Sequence, residues 1–244
     1  MFFFFKPSTI NIDCFTPDEI VFNNFRPDRA NKFVPEEWKK LPADINLKAN
    51  RNPKSNLHID LHTLKKCTGF IDLYSQGFIL PSWADFQTEI TSDGVLNYAN
   101  FTSNDVNGFF DQHERRQYGP EIYPHCGHVK LVSKWWLREK TGVKFTWNSC
   151  SWSNTIAMEN FYILPGVVDF KYQSGTHINA FQRKDSIVKI NAGDPLVHLI
   201  PISEKKIKLH YHLMNEEEFN RTMDREKASL MYKKPREVKA KCPF

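Results

Sequence analysis

The sequence predicts a mainly β protein, a sandwich, jelly roll or β-clip-like barrel that ends in a C-terminal helix. Three observations carry this expectation. Short apolar runs recur through the second half of the chain, each bounded by turn-forming residues, as strands in a sandwich or closed barrel are. Twenty Phe, eight Tyr and six Trp among 244 residues supply the bulk for a large core. A helical period is clear only once, near the C-terminus. No internal repeat of fixed length is visible, which removes solenoids and propellers. The expected organisation is one mainly β domain over 1–213, a helix over 214–232 and a basic tail over 233–244.

Taken in order, Phe2 to Phe5 reads as a first strand, because Lys6 and Pro7 end the run far short of a signal peptide or a membrane span. Pro7, Pro17 and Pro27 break the following apolar runs into edge strands and turns. Between Pro35 and Pro42, early Glu36 and Glu37 with later Lys39 and Lys40 predict a helical turn or two. Residues 57–73 fit strand and helix alike. Trp83, Phe86, Thr88 and Ile90 alternate as a strand, and Ser92-Asp93-Gly94 turns it into a hairpin. Further strands are expected over Val129–Val132, Val143–Trp147, Phe161–Leu164, Ile187–Ile190, Leu196–Ile202 and Ile207–His212, with Leu164, Val167, Ile190, Leu196, Leu199 and Ile200 in the core. Asn215 is placed to cap a helix that opens on Glu216, Glu217 and Glu218 and buries Phe219, Met223 and Leu230.

The net charge of +5 resides largely in Lys233, Lys234, Arg236, Lys239 and Lys241. The rest of the chain is nearly neutral, so there is no strong nucleic-acid signal, and the absence of a long apolar stretch predicts no membrane span. Five widely spaced cysteines without a CxxC pair read as reduced thiols of a cytoplasmic protein. Neither a Gly-x-Ser-x-Gly elbow nor a phosphate-binding glycine loop occurs.

Histidines give the main chemical lead. His58-Ile59-Asp60 would share one side of a strand, and His128 could complete a 2-His-1-carboxylate iron site, with Arg138 as a cation for a co-substrate carboxylate. This spacing resembles the jelly-roll Fe(II)/2-oxoglutarate oxygenases. On a helix, His58 and His62 would share a face instead. Tyr123-Pro124-His125-Cys126-Gly127-His128 clusters two His and a Cys, yet a structural zinc needs four ligands, and a turn before a strand accounts for the same residues. His210 and His212 alternate on an expected strand, lining a cavity or an exposed face. Trp135, Trp136, Trp147 and Trp152 suit a sandwich core better than a stacking platform.

Two resemblances add to this reading. Lys32 to Pro42, Lys66 to Leu73, Gly77 to Asp85 and Ala192 to Pro201 are similar to an uncharacterised family carried by tailed phages of marine cyanobacteria and by some bacteria. That resemblance implies a phage-type, intracellular protein and no particular reaction. The segment Pro165 to Gly175, followed by Ile190 to Ile200, resembles the third motif and next strand of the dUTPase and dCTP deaminase superfamily. The resemblance implies a β-clip fold, a trimer, magnesium, Asp169 orienting the attacking water, and Tyr172 beneath a nucleoside, with Gly166 and Gly175 framing the ligand. The Pro-Arg-Ser-Gly phosphate element of that superfamily is absent between Gly142 and Gly166, as is its glycine-rich C-terminal arm. The leading expectation is therefore a ligand-binding or assembly module, possible as a homo-oligomer. A β-clip nucleotide-binding protein or hydrolase and an iron oxygenase are the alternatives.

Overall fold

The computed structural model describes residues 9–48, 58–100, 110–119, 121, 123–153 and 155–224. The chain runs β1 (Thr9–Thr16), α1 (Glu19–Asn24), β2 (Asp28–Arg29), α2 (Glu36–Lys40), β3 (Asp44–Lys48), β4 (His58–His62), α3 (Thr68–Ser75), β5 (Phe78–Pro81), β6 (Phe86–Ile90), β7 (Leu96–Asn100) and β8 (Phe110–Asp111). It continues through β9 (Cys126–Glu139), β10 (Phe145–Ser149), α4 (Thr155–Met158), β11 (Phe161–Ile163), β12 (Gly166–Val168), β13 (Gly175–Arg183), β14 (Ser186–Ile190), β15 (Pro195–Pro201) and β16 (Lys206–Leu213) to a helix, α5, over 216–224.

The mainly β expectation holds. One sheet has the order β11-β13-β9-β1-β16, with β8 also paired to β9; a second has the order β12-β10-β15-β5-β2. Strands β14-β6-β7 form a third sheet, and β3-β4 pair only with each other among the described residues. Every ladder is antiparallel except β1 with β16, which run parallel from Thr9↔Lys206 to Thr16↔Leu213.

Alternation along β9 shows how the first sheet presents one face to the core. Alternating along β9 with half-buried Lys130, Val132, Lys134 and Trp136, and in line with buried Ser133, the side chains of Val129, Leu131, Trp135 and Leu137 are buried. They join Ile10, Ile12 and Cys14 of β1 and Ile178 and Ala180 of β13 in one apolar cluster. Phe78 and Leu80 of β5, Phe145 and Trp147 of β10, Leu199 of β15, and Phe86 and Ile90 of β6 enter the same cluster from the other two larger sheets. Phe145 meets Phe78 edge-on and Phe170 at a tilt, so large rings fill the interior. A smaller cluster of Ala30, Val34, Phe70, Tyr74, Ile79 and Cys150 packs α3 onto the second sheet.

Ile190, Leu196 and Leu199 are buried as expected, whereas Leu164 and Ile200 are half-buried. Val167 is a correction. It is 61% exposed, because Val168 stands opposite the inward Phe145 and takes the core position, leaving Val167 opposite Thr146. The described part of the ambiguous stretch, 58–73, resolves into β4, a 3-10 turn over Leu64–Lys66 and the start of α3. Gly94 closes the expected β6–β7 hairpin at φ +88, with its N–H donating to the Thr91 carbonyl. Asn215 caps α5 through a 2.8 Å bond from Glu218 N to its Oδ1. The Phe2–Phe5 run, Leu230 and the 233–244 tail lie outside the described residues.

Candidate functional site

The four residues that resemble the β-clip motif fall along one connection. Gly166 opens β12 opposite Trp147, and Gly175 opens β13 opposite Trp136, just before a register shift. Between them Asp169 closes a turn: its Oδ1 accepts from Lys171 N at 3.0 Å, and its carbonyl accepts from Tyr172 N and Gln173 N, both at 3.2 Å. Such side-chain to backbone bonds are how Asp stabilises turns. Tyr172 is half-buried, with the Lys171 ammonium 5.6 Å from its ring centroid. Phe170, between them, is fully buried in the core.

His58 and Asp60 lie on β4, so their spacing is that of a strand, with His58 opposite Lys48 and Asp60 opposite Asn46. Their side chains lie outside the described residues. His128 lies on β9 in a different sheet, under His113, Tyr118 and Phe181. Its Nδ1 accepts from the backbone N–H of His113 at 3.2 Å, which leaves the proton on Nε2. Burial, reinforced by His113, pushes its pKa down to about 4, so the ring is neutral at physiological pH. Among the described residues no three His, Cys, Asp or Glu side chains are grouped so as to hold a metal ion. Cys14 and Cys150 are free and buried, and burial pushes both thiols above their ordinary range. No helix among the described residues is long and apolar enough to cross a membrane.

Two surface features stand out that the sequence reading did not single out. One is the β3–β4 arm. Ile45 pairs with Leu61 across it, and both are exposed, at 43% and 47%; two positions along, the ladder pairs Leu47 with Ile59. Asp44 and His62 pair on the alternate positions, joined at 2.6 Å, with Lys66 also on Asp44. The arm is therefore amphipathic, and exposed Leu64 and Ile71 follow it in the chain. The alternation Ile45, Leu47 and Ile59, Leu61 was the available signal, masked by the equal fit of 57–73 to a helix.

The other feature is a polar cleft of about 700 Å³ at the β13–β14 turn, lined by Ser92, His125, Asn160, Arg183, Lys184 and Ser186 among others. A second cleft of about 530 Å³ lies between Arg29, Gln76, Glu204, Lys205 and Lys206. Neither includes Asp169, Tyr172 or His128 in its lining. The chain matches no protein family profile and no curated protein.

Proposed function

We propose that this protein is a non-catalytic assembly module that joins a second copy of itself through the β3–β4 arm. The observation that carries the reading is the exposed aliphatic pair Ile45 and Leu61, on a two-stranded sheet that no other described strand extends. A two-stranded hairpin is marginal in water until its apolar face is covered. An uncharged aliphatic face is complementary to itself, which suits a two-fold interface in which the same patch meets its copy. The filled sandwich interior supports the same reading, since it leaves binding to the outside of the fold. The resemblance to a family of tailed phages gives the module a setting, as a phage-encoded component in a host cytoplasm.

The test is native mass spectrometry of the protein purified from cells, together with elemental analysis. A dimer or larger oligomer is expected, converted to monomer by Ile45→Lys with Leu61→Lys while the circular dichroism spectrum is unchanged. A monomer at micromolar concentration, or an oligomer indifferent to the double substitution, would sink the proposal. Stoichiometric iron would instead support the oxygenase reading through His58, Asp60 and His128.

A nucleotide-handling role remains attached to one observation, that Asp169 and Tyr172 share a single tight turn. Calorimetry with dUTP and dCTP, with and without magnesium, is expected to show no binding that Tyr172→Ala weakens, and no pyrophosphate release. Binding lost with Tyr172→Ala, and pyrophosphate release lost with Asp169→Asn, would place that role ahead of assembly.

A further inference from the structure

The β13–β14 turn sets Arg183 and Lys184 side by side at the cleft of about 700 Å³. Three other segments hold its backbone. Arg183 N donates to the Asn160 carbonyl at 3.0 Å, Lys184 N to the His125 carbonyl at 2.9 Å, and Asp185 N to the Ile90 carbonyl at 2.7 Å. Asp185 takes the left-handed φ of 53° that this tight turn requires. Beneath it, buried Gln182 donates from Nε2 to the Thr88 and Ser186 carbonyls and accepts the Thr88 hydroxyl proton on Oε1. The cleft is therefore formed before any ligand arrives, which removes an ordering cost from binding.

The two cations in it have no ion pair or side-chain hydrogen bond among the described residues. By contrast, Lys130 is paired with Asp111 and Lys134 with Asp18. Of the nearby carboxylates, Asp93 accepts a hydrogen bond from the Thr91 hydroxyl and lies near enough to the Lys184 ammonium for that charge to help lower its pKa, while Asp185 lines the cleft without an ion pair among the described residues. His125, Ser92 and Asn160 add hydrogen-bonding groups to the same wall.

We propose that this cleft binds a phosphate group, with the guanidinium of Arg183 as a two-pronged donor and the ammonium of Lys184 as a point charge. Arg and Lys in these roles are how proteins hold phosphate oxygens. Next to Pro124 and His125 of the wall, Tyr123 is 41% exposed and rests on Phe181 with ring centroids 4.3 Å apart. That supported ring is placed to carry the base of a nucleoside monophosphate, so the phosphate is either free or esterified. None of the residues lining the cleft lies on the β3–β4 arm.

The experiment is calorimetry on the full chain at low ionic strength, titrating inorganic phosphate in one arm and UMP in the other. Saturable binding of one phosphate group per chain is expected in both. Arg183→Ala with Lys184→Ala should weaken both by about tenfold or more, while Lys206→Ala, in the other basic cleft, should leave them unchanged. Loss of UMP affinity alone with Tyr123→Ala would assign a nucleotide, and equal affinities untouched by it would assign free phosphate. Should the double variant misfold by circular dichroism, Lys184→Gln carries the test, with weakened binding expected. No saturable heat at millimolar ligand, an unaffected Arg183/Lys184 variant, or an equal loss with Lys206→Ala would overturn the proposal.

Discussion

Glu139 shows how a single buried charge can set local structure. It is 1% exposed at the end of β9, and its carboxylate accepts from the N–H groups of Thr141, Gly142 and Val143 and from the Thr141 hydroxyl. Burial alone would raise its pKa; those hydrogen bonds outweigh burial and hold it below the usual carboxylate range. Its contribution to stability is thus present above the ordinary value of 4.5 and is lost as pH falls through the lower folded value. Glu139→Gln turns an amide N–H₂ toward two of the donors and should cost about 1–3 kcal/mol, read by urea denaturation at neutral pH. His128 has the same sign by a different cause. Its folded pKa of about 4 lies below the ordinary 6.5, so stability is full above pH 6.5 and declines toward pH 4 as the unfolded imidazole takes up a proton. Denaturation midpoints across that window should fall less in His128→Gln than in the parent; an identical slope would show that other groups carry the dependence. Gly77 is fixed by geometry, since at φ +72 an added Cβ would lie 2.1 Å from the Leu199 carbonyl oxygen of the paired β15. Gly77→Ala should therefore destabilise by more than the roughly 1–2 kcal/mol of a left-handed residue alone.

Among the elements, β9 carries the most, lying between β13 and β1 in a strand of 14 residues. Trp135 at its centre is fully buried, and its indole N–H donates to the Phe25 carbonyl at 2.8 Å. Trp135→Ala should cost about 3–5 kcal/mol, measured as a shift in chemical-denaturation midpoint at constant slope. How far such elements can be read from sequence depends on their surroundings. The strands after His128 were legible because their inward residues are apolar and their ends are turn residues, as in Ile187–Ile190. β13 was not, because Thr176, Ile178, Ala180 and Gln182 fill its core-facing positions, two of them polar and satisfied by hydrogen bonds that only the fold supplies, and Phe181 between the last two is buried as well. The site residues were less legible still. Arg183 and Lys184 read as an ordinary polar turn until three distant segments are seen to bond its backbone, and no short spacing encodes contacts of that range.

At the scale of the whole molecule, β16 closes the first sheet by lying parallel to β1, the first described strand, with Ile12 opposite Leu209 and Cys14 opposite Tyr211. Ile207, Leu209 and Tyr211 pack against the same cluster that holds Ile10, Phe86, Trp135 and Leu199. Residues from both ends of the described chain thus meet at one core, where β16 lays three half-buried side chains along its edge. Two consequences follow physically. Unfolding should be a single cooperative event, with tryptophan fluorescence and far-ultraviolet circular dichroism giving coincident urea transitions. Folding should be slow, in the millisecond-to-second range, because the β1–β16 ladder closes a loop nearly as long as the chain. A chain ending at Ser203 should then leave β1 without its parallel partner and expose Ile10 and Ile12 along the broken edge. The expected result is a species that binds a hydrophobic dye and has lost its sharp transition. A truncated chain that kept the parent midpoint would mean that the β9–β13 half of the sheet folds on its own, and that β16 is an addition to the core rather than its closure.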